Sequence, residues 1–560
     1  MKKRIGVYVC ECGPNIAGAV DIDRVLEAVL SLDGVAVAEK YGLLCSGDGK
    51  KYLVEQVREH GLTHLVVGAC SPKQHELTFM TVCEESGLNP FLFQMANIRE
   101  QVAWITPDKE KATERTIRHL KAAIRRVLYH TALEQKEIET NPDVLVIGGG
   151  MAGISAALSL GSSRKVYVVD KRDALGGKAL KYEKISPGMA NSADVVENYL
   201  RGIETDENIE VLTNTNVEEV RGFFGNFLVK LRENDAESDA RELRVGAIIV
   251  ALGMDPLDSE VLSEYGYGKI QNVYTSLELE QANVDGKLGM SGGGKPKSVG
   301  IVHCVGRKEA GYCSEICCTV GMKIACYLQE KFPGIAVTEF YQDLSIPGRG
   351  AQVLYEEAKR AGTEFIRATN VQLSESDDKI KISYERDHDK TEEKPVDMVV
   401  LLVGIGPPAD AEKISNLLSV PLGKGGFFTE EHAKISPVSS SIEGIYLAGC
   451  ASGPKGIPET ISQSEAVAGK ILAGLVPGRK IETEAKTSRI AENLCMGCQT
   501  CLDVCCYGAI SYNETRGICV VNEVLCKGCG NCAAACPSGA ASHQHFTSRQ
   551  VYQEIAEIVK

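Results

Sequence analysis

Short apolar runs alternate with amphipathic stretches along the first 138 residues. Residues 4–9 and 63–69 are apolar almost throughout, at a length that suits buried parallel strands, whereas 21–30, 50–60 and 107–128 repeat apolar positions at helical spacing. This alternation predicts an α/β domain. A larger α/β block covers 139–480. It opens on a strand at 143–147, followed by a glycine-rich turn, a helix at 154–160 and a second strand at 165–169. The polar stretch 481–488 reads as a linker to a short cysteine-rich block, so three domains are expected: 1–138, 139–480 and 481–560.

Cysteine is the unusual part of the composition. The chain of 560 residues holds 21, ten of them between Cys495 and Cys536. Disulfides outside the cell and thiolate ligands inside it are the competing explanations. After Met1-Lys2-Lys3-Arg4 only five residues precede Cys10, too few for the apolar region of a signal peptide. No apolar run approaches the ~18 residues of a membrane span. The cytoplasm is the expected compartment, and metal ligation the expected use of the thiols. The net charge of -14 argues against a nucleic-acid partner.

Two cysteine runs share one spacing: Cys495-x2-Cys498-x2-Cys501-x3-Cys505 and Cys526-x2-Cys529-x2-Cys532-x3-Cys536-Pro537. Three thiolates of such a run converge on one cubane and the fourth reaches the other cluster. Cys495, Cys498, Cys501 and Cys536 are therefore assigned to one [4Fe–4S] cluster, and Cys526, Cys529, Cys532 and Cys505 to a second. A pair of zinc sites is the alternative, and the doubled x2-x2-x3 spacing disfavours it. Cys506 stands where the first run would carry proline; it and Cys519 are not assigned as ligands.

Gly148-Gly149-Gly150-Met151-Ala152-Gly153 lies between a strand and a helix, with Asp170 ending the next strand and Lys171 after it. That context makes GxGxxG a dinucleotide fingerprint: a tight turn at Gly148, pyrophosphate approach at Gly150, close helix packing at Gly153, a ribose hydroxyl on Asp170. Three further segments point to FAD and a thioredoxin-reductase-like domain. Gly176-Gly177-Lys178 resembles the second glycine pair of two-dinucleotide flavoproteins. A strand at 247–250 leads into Ala251-Leu252-Gly253. The segment 445–450 ends in Gly449-Cys450, where such flavoproteins usually carry Asp at the position of Cys450. Ile457 and Pro458 open a helix whose N-terminus is expected to face the flavin. Lys178 and Arg349 are the candidate basic groups near the isoalloxazine, with a solvated surface charge as the equal alternative for each.

The second nucleotide fingerprint of such flavoproteins is missing. After the strand at 298–303 comes Cys304-Val305-Gly306-Arg307-Lys308, with one glycine. Cys304, Cys313, Cys317 and Cys318 occupy this place. If a helix begins near Ser314, Cys313 and Cys317 share a face, and four thiolates can meet at a strand end and a helix N-terminus around a third cluster. Buried free cysteines are the alternative, and His303 reads as a packed strand-end residue.

Cys304-Val305-Gly306-Arg307, Tyr312-Cys313-Ser314 with Cys317-Cys318, and Gly453-Pro454-Lys455 with Glu459-Thr460 resemble the A-subunit family of heterodisulfide reductases. So do Cys10-Glu11-Cys12-Gly13, Ala69-Cys70-Ser71-Pro72 and Met95-Ala96-Asn97-Ile98-Arg99-Glu100. The resemblance spans essentially the whole chain. It implies a flavin that bifurcates electron pairs, with a cluster beside it on a C-x(n)-C-x3-CC motif. It also suggests a fourth cluster on Cys10, Cys12, Cys45 and Cys70, gathered at the carboxyl ends of strands; the alternative is small residues in tight turns. The implied partners are other heterodisulfide-reductase-like subunits, ferredoxin and an electron-input subunit of hydrogenase, formate or NADH dehydrogenase type, with a homodimer inside a larger complex. Some members carry a further ferredoxin insert in the flavin domain; residues 177–202 contain no cysteine, so this chain is a shortened form.

The expected fold class is α/β: an N-terminal α/β domain, a thioredoxin-reductase-like Rossmann-type FAD domain, and a C-terminal α+β two-cluster ferredoxin domain. The expected function is an anaerobic-type FAD and iron–sulfur oxidoreductase subunit that splits or joins electrons between a low-potential ferredoxin and a higher-potential acceptor on a partner. A stand-alone NAD(P)H-dependent reductase, and a conducting scaffold with FAD as a passive relay, are the competing readings.

Overall fold

The structure, a computed structural model, describes residues 3–234, 240–257, 259–376, 378–386 and 390–560; Met1 and Lys2 of the basic opening lie outside them. The chain forms two compact units, residues 1–138 with 482–560, and residues 139–481.

In the first unit a parallel four-stranded sheet runs in the order Val35–Tyr41, Ile5–Cys10, His64–Ala69, Phe93–Asn97. The two central strands are buried at every residue, which is why they are apolar but for His64 at the start of one. The helices Ile22–Leu30 and Lys109–Val127 start where Asp21 and Asp108 accept the N–H of Arg24 and Lys111. Their Val25, Val29, Leu120 and Ile124 close over Val7 and Val9.

Residues 482–560 belong to the same unit. Two antiparallel pairs, Ser488–Ile490 with Ala541–His543 and Ile510–Asn513 with Ile518–Val521, carry the cysteine loops. The helix Ser548–Ile558 packs against Lys109–Val127, where Arg126 binds Glu554 at 2.5 Å and the His545 carbonyl at 3.1 Å. Part of the polar stretch expected to act as a linker packs into this unit. Thr483, Thr487 and Ser488 are buried, because their polar groups have partners: the Thr483 N–H donates to the Lys136 carbonyl at 2.8 Å and the Ser488 N–H to the Cys526 sulfur at 3.4 Å.

The second unit holds two α/β sheets. One has the order Ile209–Leu212, Val166–Val169, Val144–Ile147, Ala247–Val250, Ile445–Leu447, Ser436–Ser440, Glu430–His432; its first five strands are parallel. The other is parallel, in the order Val273–Thr275, Met398–Val403, Ser298–Val305, Ala336–Tyr341, Glu364–Arg367. Each has a three-stranded antiparallel companion, at Thr215–Phe223, Asn226–Glu233, Arg241–Val245 and at Thr369–Ser376, Lys379–Arg386, Lys390–Val396. No helix among the described residues is long and apolar enough to cross a membrane.

Candidate functional site

The glycine turn at the end of Val144–Ile147 leads into the helix Met151–Gly161, which begins three residues before the expected start because Gly150 serves as its N-cap. Gly148 has φ 112°, and a Cβ there would stand 2.3 Å from the Ala251 carbonyl oxygen. A Cβ on Gly153 would stand 1.9 Å from the Gly148 oxygen, so only glycine lets helix and turn meet. At Gly150 a Cβ would meet nothing within 4 Å: that position faces open space.

The space is a cavity of about 960 Å³ in the second unit. Gly150, Met151, Ala152, Gly176, Gly177 and Lys178 line one side; Ala251, Gly253, Cys450 and Ile457 line others. Gly148, Asp170 and Lys171 line an adjoining cavity of about 330 Å³ that Gly177 and Lys178 share. Gly153 and Gly449 stand behind the wall; the Gly449 N–H donates to Gln463 at 2.8 Å. Asp170 is buried and fully engaged. It accepts the N–H of Gly149 at 2.7 Å and of Arg172 at 2.9 Å, and the Arg172 guanidinium. Despite burial, these donors hold its pKa below the ordinary carboxylate value.

Lys178 reaches the cavity wall, where its ammonium meets the Met254 carbonyl and Asp255, the latter at 2.8 Å. Arg349 does not: it is exposed in the first turn of Gly348–Arg360 and lines neither cavity. The cavity has another basic residue that pattern reading missed. Lys323 lies 2.5 Å from Glu280, with side chains only 3% and 1% exposed. Its ammonium also donates to the Lys184 carbonyl at 3.0 Å and sits 4.9 Å over the Tyr182 ring. Burial, only partly offset by Lys323, pushes the Glu280 carboxyl up. The one signal in the sequence is a lone lysine inside the apolar helix Cys317–Lys331. Lys455 also lines the cavity, and burial lowers its pKa.

Cys304, Cys313, Cys317 and Cys318 come together at the carboxyl end of Ser298–Val305. A register shift between Val302 and Val305 and a left-handed Cys304, φ 59°, make a bulge at that residue within the strand. The helix begins at Cys317 rather than near Ser314. Glu315 is left-handed at φ 57°, which interrupts helical geometry, so Cys313 approaches from a loop and does not share a helix face with Cys317. Burial, then the neighbouring thiols of Cys318, Cys304 and Cys313, push the Cys317 thiol up to about 12. Backbone N–H groups point at the sulfurs: Glu315 to Cys313 at 3.4 Å and Ser345 to Cys318 at 3.3 Å. Cys317 lines both this pocket and the large cavity, so the thiol group and the glycine-walled space share a wall.

The C-terminal thiols pair across the two runs. Cys498 lies within electrostatic reach of Cys536, and Cys532 of both Cys526 and Cys505. N–H donors again face the sulfurs, from Cys519 to Cys495 at 3.4 Å, Ala509 to Cys505 at 3.3 Å and Ala541 to Cys536 at 3.4 Å. Cys519, set aside on spacing, lies against Cys501 and Cys495. Cys529 lies near Cys506. In the N-terminal sheet Cys10 ends one strand and Cys70 follows another. Burial first, then the Cys12 and Cys45 thiols, raise Cys10, and burial raises Cys70 to about 11 against the pull of Arg99. Arg99 donates to the Cys12 sulfur at 3.3 Å, and Cys12 itself is left-handed at φ 49°. Among the described residues no three His, Cys, Asp or Glu are set to hold a single metal ion; the thiol groupings rest on mutual reach and on these donors. Anionic cluster thiolates want such donors, and the open glycine wall suits a dinucleotide, so the residues fit both groups.

Residues 142–468 match the family model described as pyridine nucleotide-disulphide oxidoreductase, and 494–540 match a 4Fe-4S dicluster domain. The chain is 35% identical to the A subunit of the H(2):CoB-CoM heterodisulfide,ferredoxin reductase of Methanothermobacter thermautotrophicus, over 99% of this chain and 97% of that protein. It is 35% identical to an iron-sulfur A subunit of the CoB--CoM heterodisulfide reductase of Methanopyrus kandleri, over 92% of each. Thioredoxin reductase of Lactococcus lactis aligns with 60% of this chain and 99% of its own at 20% identity and a TM-score of 0.43.

Proposed function

The chain belongs to the A-subunit family of heterodisulfide reductases and is an oxidoreductase subunit with FAD and [4Fe–4S] domains; from that premise we propose that it splits or joins electron pairs within a heterodisulfide-reductase-like complex. FAD supplies two-electron chemistry and the clusters carry single electrons. The observation that carries the reading is the wall shared through Cys317: a four-thiol pocket borders the cavity where the flavin would lie. That pocket stands at the carboxyl end of the strand where a nicotinamide-binding relative would place its phosphate loop.

The chain's own residues then have distinct tasks. The turn Gly148–Gly153 and the N-terminus of Met151–Gly161 receive the pyrophosphate. Asp170 meets the ribose once Arg172 yields an acceptor position. Lys178 and Lys323 set positive charge on the cavity wall, where it offsets charge gained on reduction. The four proposed clusters sit on Cys495/Cys498/Cys501/Cys536, Cys526/Cys529/Cys532/Cys505, Cys304/Cys313/Cys317/Cys318 and Cys10/Cys12/Cys45/Cys70. Partners are ferredoxin, other subunits of the complex and an electron-input subunit, with the higher-potential acceptor on one of them.

The test is anaerobic mixing. NADH alone should leave the flavin absorbance unbleached on the timescale of turnover. The assembled complex with its electron donor should reduce ferredoxin and the higher-potential acceptor in equal amounts. Fast bleaching by NADH alone would establish the stand-alone reductase instead, and acceptor reduction that proceeds unchanged without ferredoxin would leave only a relay.

A further inference from the structure

Beneath the Cys304–Cys318 pocket, in the core of the five-stranded sheet, lies a buried histidine–glutamate pair that the electron transfer proposed above does not use. His303 Nε2 is 2.7 Å from Glu339 Oε2, and both side chains are 0% exposed. The parallel register sets Ile301 against Glu339, so His303, two residues on, projects from the same face. The helix Cys317–Lys331 lies on that face. A Cβ on Gly321 would stand 3.0 Å from His303 Cε1 and Nε2, so glycine makes room for the ring under the helix. Cys318 is three residues before Gly321, on the same side of the helix. His303 Nδ1 has no partner that meets hydrogen-bond geometry, and the Cys318 thiol lies within reach of the imidazole ring.

Stability does not explain the pair. A buried ionisable pair is commonly replaced by apolar residues at no loss, and here one nitrogen and Glu339 Oε1 stay unsatisfied. Iron ligation supplies the missing partner. A metal-bound Cys318 sulfur has no proton to give and accepts hydrogen bonds, so Nδ1 must face it as N–H. That donor exists whether the proton of the 2.7 Å bond resides on Nε2 or on Oε2. We propose that His303 is a positioning residue for the cluster on Cys304, Cys313, Cys317 and Cys318: Nδ1–H donates to the Cys318 sulfur, and Glu339 fixes the ring and its tautomer. The inference rests on the reading of these four thiolates as cluster ligands. Together with the Ser345 N–H, Cys318 then receives two donors. Hydrogen bonds to a ligating sulfur stabilise the more negative, reduced state and raise the potential.

The experiment is an EPR-monitored redox titration of the anaerobically purified holoprotein, with the signal of this cluster identified by its loss in Cys317→Ala. His303→Leu should move its midpoint to a more negative value, by a tenfold or larger change in the reduction equilibrium, about 59 mV for one electron. His303→Asn, whose amide nitrogen stands near the place of Nδ1, should recover most of that shift, which a merely space-filling histidine would not require. A midpoint in His303→Leu equal to wild type, or His303→Asn no different from His303→Leu, overturns the proposal. If His303→Leu loses the signal outright, His303→Asn must keep it, and loss in both also overturns it. Wild-type protein with no signal that Cys317→Ala removes would end the cluster reading itself, a separate result.

Discussion

Replacing Lys323 with methionine should destabilise the flavin-binding unit far more than replacing Lys323 and Glu280 together. The two charges are 2.5 Å apart and 3% and 1% exposed. At an effective dielectric of about 20 their attraction is about 6–7 kcal/mol. Removing each ion from water costs several kcal/mol, so the intact pair stands near break-even. Lys323→Met deletes the attraction and leaves Glu280, whose carboxyl burial already pushes up, stranded in the core. The expected loss is about 3–5 kcal/mol, whereas the double replacement Lys323→Met, Glu280→Leu should lie within about 1 kcal/mol of wild type. Anaerobic urea unfolding, followed by flavin fluorescence and far-UV circular dichroism, reads both as shifts in midpoint at constant slope. The double variant should also bind FAD, because cation and carboxylate leave the cavity wall together. A single variant as stable as wild type, or a double variant as unstable as the single, would refute the reasoning.

Gly148→Ala forces a Cβ to within 2.3 Å of the Ala251 carbonyl at φ 112°, so the purified variant should lack FAD; a full complement of flavin by absorbance would contradict the cradle. Acid should weaken the unit formed by 1–138 and 482–560. Burial, then His545 and Arg126, lower His130 to about 3, and burial and Lys3 lower His64 to about 4. Both are neutral in the folded unit and titrate near pH 6.5 when unfolded, so the unfolded chain binds more protons below that value. Stability is then full above about pH 7.5 and falls from about pH 6.5 toward 4, by about 1.4 kcal/mol per pH unit for each histidine. Denaturant midpoints across that window should show the slope and His130→Phe should reduce it by about half, His64 supplying the rest; a flat wild-type profile would contradict the assignment.

What could be read in the sequence is what neighbours along the chain encode. The central strands Ile5–Cys10 and His64–Ala69, the glycine turn before Met151, and the paired cysteine runs all announce themselves through residues close to one another in the chain. Partners brought together by the fold leave no such mark. Lys323 meets Glu280 only because two helices close on one cavity, and His303 meets Glu339 only through strand register. The stretch 481–488 reads as a linker because it is polar; its buried Thr483 and Thr487 hydroxyls accept from the Lys136 N–H and the Gln544 amide. Helix periodicity suggests Cys313 and Cys317 on one face, and the left-handed Glu315 between them breaks it. Arg349 carries the right charge for a flavin, but its helix leaves it in solvent.

The most direct test of the account is the iron-to-flavin ratio of protein prepared without oxygen, wild type beside Cys317→Ala. Four cubanes predict about sixteen irons per FAD in the first and about twelve in the second. About eight in both would leave only the C-terminal pair of clusters and remove the electron carrier from the flavin's wall.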